Sequence, residues 1–95
     1  MSQAINGKLP IKVTAAEFIS KDQVAVVGVL LTAAIAAACS AVVQDANNND
    51  LITLNTTTSD GVSGAIFPAP IVMQGLSVPA LTGTGAILYI YLGDA

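Results

Sequence analysis

The sequence contains no histidine and no arginine, three lysines and one cysteine, and only 9% of its 95 residues are charged. Each shortage excludes something. Contact with nucleic acid rests on cationic side chains against phosphate, so a chain with three lysines and a net charge of −3 is not expected to bind DNA or RNA. One cysteine cannot form an internal disulfide framework or a thiolate zinc cluster. Catalysis needs activated acids, bases or nucleophiles held in mutual geometry, and this inventory is nearly empty of them, so no enzyme activity and no cofactor are expected. Too few charges also remain to cover the surface of a small domain. Part of that surface is therefore expected to lie against a bilayer or against neighbouring protein copies.

What the chain does have is apolar sequence, 54% of all residues. The longest stretch, Val24 to Val43, carries no charge over twenty residues. As a helix it would span about 30 Å, enough to cross a hydrocarbon core, with Lys8, Lys12 and Lys21 on its N-terminal side. Read as a lipoprotein signal, Ala36-Ala37-Ala38-Cys39 resembles a degenerate lipobox, but Glu17 and Asp22 suit the leader of such a signal poorly. Read as sheet, the stretch divides into strands at Gln23–Thr32 and Ala38–Asp45, joined by the small residues Ala33–Ala37.

The remainder of the chain favours sheet. Asp50–Asn55 alternates, and so does Val62–Phe67 before Pro68 and Pro70. Leu76–Leu81 is strand-like, Thr82–Gly85 is a glycine turn, and Ala86–Leu92 is the clearest strand of all. Strands and turns at this spacing predict an all-β fold, a small antiparallel β-sandwich or jelly-roll-like barrel. It would have an N-terminal arm or edge segment over residues 1–22 and a single sandwich domain over residues 23–95. A sandwich needs the Val24–Val43 strands to complete its core, which argues against giving them to a membrane. The expected core is Val26, Leu30, Val42, Ile52, Leu54, Ile66, Leu88 and Ile90. The small membrane-anchored or lipidated protein, anchored by residues 24–43, stands as the alternative.

Individual residues invite sharper readings. Cys39, with no cationic neighbour in sequence to activate its thiol, reads as a small buried hydrophobe. Asp45-Ala46-Asn47-Asn48-Asn49-Asp50 spaces oxygen ligands as a calcium loop begins, but lacks the glycine at the sixth place and the later glutamate. A turn closed by Asx hydrogen bonds fits better, and no metal site is expected. Tyr89 and Tyr91 share one face of the last strand, opposite Leu88, Ile90 and Leu92. Together with Phe18, Ile11 and Val13 of the N-terminal segment they are the candidate interface residues.

The order of these stretches resembles a family. "GVLLT" at Gly28–Thr32 and the strand Ala41–Asp45 are followed by Pro68–Ile71, Gly75-Leu76, "LTGTGA" at Leu81–Ala86 and Tyr89–Tyr91. The chain is thereby similar to small β-sandwich virion proteins of tailed bacteriophages, from Gly28 to its C-terminus. It departs from them at Gln44, where they carry an aromatic residue. The resemblance implies a capsid decoration or cement protein on the exterior of the virion. Its partners would be the major capsid protein and further copies of itself, a trimer being favoured. A tail or head–tail connector component is the related alternative.

Overall fold

The computed structural model describes residues 10–33, 38–58 and 61–93. The described residues form strands and turns only: β1 (Ile11–Val13), β2 (Glu17–Thr32), β3 (Ser40–Gln44), β4 (Asp50–Asn55), β5 (Val62–Thr82) and β6 (Ile87–Gly93). They make one antiparallel sheet in the order β1-β6-β2-β5-β3-β4. The all-β fold expected from the sequence is the fold observed.

β2 and β5 are too long to be straight. At 3.3 Å per residue, sixteen and twenty-one residues would extend about 53 and 70 Å, whereas the longest dimension of the molecule is 36 Å. Both strands bend at the same place. Between the pairs Val26↔Ile71 and Gly28↔Ile66, Val27 alone stands against Phe67-Pro68-Ala69-Pro70. The two prolines supply no backbone donors, so the ladder breaks there and the sheet turns. On one side of the bend, β1 and β6 extend the C-terminal half of β2. On the other, β3 and β4 extend the C-terminal half of β5.

The resulting wings fold onto each other as the two layers of a small sandwich. Val13, Leu31, Leu88 and Ile90 from the first wing share one core with Ala41, Val43, Leu54, Leu76 and Val78 from the second. Period-two alternation builds this core: Leu88, Ile90 and Leu92 point inward from β6, as do Ala41 and Val43 from β3.

The sheet reading of Val24–Val43 holds where the structure describes it: its first part is the interior of β2, and Ser40–Val43 belongs to β3. Other expectations are corrected. No helix among the described residues is long and apolar enough to cross a membrane. Residues 34–37 of the expected connection, and residues 1–9 of the expected arm, lie outside the described residues. The sheet begins before Gln23, because Glu17, Phe18 and Ser20 pair with Val78, Ser77 and Leu76, and Ile11–Val13 pairs with β6. Leu76–Leu81 is no separate strand, since Ile71–Gln74 keeps pairing with Gln23–Val26 and joins it to Val62–Phe67.

The expected core is right at Val26, Leu54, Leu88 and Ile90, while Leu30, Val42 and Ile52 are half-buried. Ile66 is 90% exposed. Ala65 and Phe67 pack against the core from β5, which forces Ile66 between them to the outside.

Candidate interaction surface

The outward side chains of the first wing follow from the register. Lys12, Tyr89, Leu30 and Gly64 form one row across β1, β6, β2 and β5. Tyr91, Gly28 and Ile66 form the next row, and Ile87, Thr32 and Val62 a third. Lys12, on the edge strand, is the charged member of these rows. Ile66, Val62 and Tyr91 are exposed by 90%, 53% and 37%, while Leu30, Tyr89 and Ile87 are half-buried.

Gly28 and Gly64 carry no side chains into this face, and the surface sinks over them. The depression is an open groove of about 720 Å³ with Val27, Leu30, Ile66 and Tyr91 among its walls. A groove of this volume could take a small molecule. Its side chains are apolar apart from the Tyr91 hydroxyl, however, so convergent polar groups that would orient such a ligand are missing. An apolar surface of another protein fits its chemistry better.

The outer face of the second wing is different. Ser40 and Thr82 are hydrogen-bonded through their hydroxyls at 3.0 Å, Gln44 Nε2 donates to Asp50 Oδ1 at 2.6 Å, and Thr53 and Asn55 stand exposed on β4. Phe18, 58% exposed beside Ser77, and Val72, 54% exposed opposite Ala25, are its exposed large apolar members. The molecule is thus two-sided, with an apolar, aromatic face on one wing and a hydroxyl- and amide-rich face on the other.

The five candidate interface residues are not brought together. Tyr89 and Tyr91 lie on the apolar face, as their alternation predicts. Phe18 is on the opposite wing, Ile11 is half-buried against the core, and Val13 is fully buried and cannot meet a partner. Conversely, Leu30, Val62 and Ile66 belong to the surface. The alternation of Val62, Gly64 and Ile66 against Ser63, Ala65 and Phe67 was the available signal. Only its phase needed the fold.

Cys39 is buried as a free thiol. Its N–H donates to Thr56 Oγ1, its carbonyl accepts from the Thr56 N–H, both at 2.9 Å, and its Sγ lies 3.6 Å from the Thr84 carbonyl. Asp45 closes the β3–β4 turn: Oδ1 accepts from the N–H groups of Asn47 and Asn49 at 2.8 and 2.9 Å, and Oδ2 from Asn49 Nδ2 at 3.1 Å. Asn48 adopts a left-handed conformation, φ 66°, as such a turn requires. These bonds, led by the Asn49 N–H and then its side-chain amide, hold the Asp45 carboxyl below its ordinary pKa. Among the described residues no three His, Cys, Asp or Glu side chains cluster as a metal site would require.

No protein-family model, no curated protein and no solved structure matches this chain.

Proposed function

We propose that the chain is a structural, non-catalytic component of a tailed-phage virion, a decoration or cement protein that binds the outside of the capsid shell as a homo-oligomer. The observation that carries this reading is the apolar face of Leu30, Val62, Ile66, Tyr89 and Tyr91, with one lysine at its margin. A protein working alone in water gains nothing from such a face, whereas one that is always seated on a lattice covers it. The resemblance of Gly28–Thr32, Leu81–Ala86 and Tyr89–Tyr91 to phage sandwich proteins supports the same reading.

The mechanism is mass action. Each 100 Å² of apolar surface withdrawn from water contributes about 2.5 kcal/mol before the cost of association. Tyrosine suits such a contact because its ring is buried while its hydroxyl reaches the wet rim. Binding to the folded chain alone then raises the stability of both shell and subunit with partner concentration.

The test is reconstitution on gradient-purified particles. The protein is expected to co-migrate with intact heads, to rebind heads stripped of it, and to raise their disruption temperature. Tyr91→Asp, which changes a surface residue, is expected to fold but rebind weakly. Absence from purified particles, or equal rebinding by Tyr91→Asp, refutes the assignment.

A further inference from the structure

Among the described residues, Ser63–Phe67 of β5 is paired on one side only. Val62–Ile66 pairs with Thr32–Gly28 of β2, whereas β3 meets β5 only at Ser77–Thr82. Among the described residues no strand occupies the other edge of Ser63–Phe67. The direction of its backbone groups can be read from the ladder. Ala33 N–H donates to the Gly61 carbonyl at 3.0 Å, which makes Ala33/Gly61 a hydrogen-bonded pair. Pairs alternate along an antiparallel ladder, so Leu31/Ser63 and Val29/Ala65 also exchange bonds, while Leu30/Gly64 and Gly28/Ile66 do not. The N–H and C=O groups of Gly64 and Ile66 therefore point away from β2, toward the open edge. The close approach of Gly64 agrees, since a Cβ built there would lie 3.4 Å from Leu30 Cα.

We infer that this edge pairs with the same edge of a second copy about a two-fold axis through Ala65. In that register Gly64 of each copy exchanges backbone hydrogen bonds with Ile66 of the other, and Ala65 faces its own counterpart. The side chains then interlock on the apolar face. Ile66, 90% exposed in the single chain, enters the depression over the partner's Gly64 and packs on the partner's Leu30. An isologous contact must be self-complementary, and here the protruding and the empty position lie two residues apart on one strand, on either side of the axis. Val62–Gly75 contains no charged residue, so the copies meet without like-charge repulsion. The pairing stops at Pro68, which has no N–H to offer Val62 of the other chain. The inference concerns the free protein and does not rest on the capsid reading. It differs from the trimer that the resemblance implies, because a two-fold edge contact closes at two chains.

A five-residue edge is small beside the ~800 Å² per partner of a stable dimer, so the dimer is expected to be weak and to form only in concentrated solution. Sedimentation velocity of the full chain over a concentration series measures it. Ile66→Asp places a charge in the contact at a position exposed in the folded monomer, and is expected to weaken dimerisation more than about ten-fold. Phe18→Asp, on the other wing, is expected to leave it unchanged. Far-UV circular dichroism verifies that both variants fold. The register is tested independently by Ala65→Cys: Cα atoms of a non-hydrogen-bonded antiparallel pair lie about 4.5 Å apart, within disulfide reach. Mild oxidation is expected to give a covalent dimer with Ala65→Cys and none with Val62→Cys, which would face the partner's Pro68. A chain that stays monomeric at roughly 1 mM overturns the inference, as does a trimer, a dimer indifferent to Ile66→Asp, or efficient crosslinking at Val62→Cys but not at Ala65→Cys.

Discussion

Asp45 shows how a single side chain fixes a turn. Its carboxylate satisfies the N–H groups of Asn47 and Asn49 while Asn48 holds a positive φ, so the chain can reverse between β3 and β4. The run of asparagines made the turn legible in the sequence, but not which acceptor would organise it. Because those bonds favour the ionised carboxyl, its pKa is lower folded than unfolded. The associated stability is complete above the unfolded value, about 3.9, and is lost as pH falls through the folded value. Thermal melts of wild type and Asp45→Ala should therefore differ at pH 7 and converge in strong acid. Curves that stay parallel down into strong acid would remove the charge from the account. Gly83 illustrates a position that no composition argument isolates. Its φ is +111°, and a Cβ there would fall 2.7 Å from Cys39 Cα. Gly83→Ala is expected to cost at least about 1–3 kcal/mol in urea unfolding, from the backbone conformation alone.

At the scale of the element, alternation was legible throughout, but phase only in some strands. β6 has bulky residues on both faces, and its phase was readable because Leu88, Ile90 and Leu92 are purely aliphatic whereas the opposing tyrosines carry hydroxyls. In Val62–Phe67 both phases place a large apolar residue inward, Ile66 in one and Phe67 in the other, so local sequence does not decide. The register with β2 decides it: Ala65 lies opposite buried Val29, and Ile66 opposite Gly28. Leu88→Ala should consequently cost about 2–5 kcal/mol, and Ile66→Ala less than about 0.5 kcal/mol in dilute solution where the chain is monomeric. Comparable losses at both positions would contradict the observed phase. The N-terminal boundary was misplaced for a related reason: Glu17–Asp22 looks polar because it flanks the core, yet Glu17, Phe18 and Ser20 pair with β5. Deleting Met1–Asp22 also removes Val13, which is fully buried, so the truncated chain is expected to lose its cooperative melt. Retention of a wild-type transition would restore these residues to the status of an arm.

The whole molecule is organised by two strands that belong to both layers. Spans of sixteen and twenty-one residues are not visible in a sequence where Pro68 and Pro70 suggest a break. The break is real for the ladder but not for the strand, since pairing resumes at Val26↔Ile71 after Gly28↔Ile66. Neither wing can then come apart alone. Unfolding the β3–β4 wing would strip one flank of β5 and expose Leu76 and Val78, which belong to the same core as Val13, Leu31, Leu88 and Ile90 of the β1–β6 wing. The chain should therefore unfold in a single transition, and its own aromatic residues allow the test. Both tyrosines of the chain, Tyr89 and Tyr91, lie in β6, so tyrosine fluorescence reports the first wing, whereas circular dichroism reports every strand. Leu54→Ala removes a core side chain from β4 in the second wing, distant in the sheet order from either tyrosine. If β2 and β5 couple the layers, this substitution lowers the urea midpoint seen by fluorescence as far as the midpoint seen by circular dichroism, both corresponding to a loss of about 2–5 kcal/mol in unfolding free energy. A fluorescence midpoint left at the wild-type value while the circular dichroism signal melts early would mean that the wings unfold separately, with the bend at Val27 acting as a hinge between independent units.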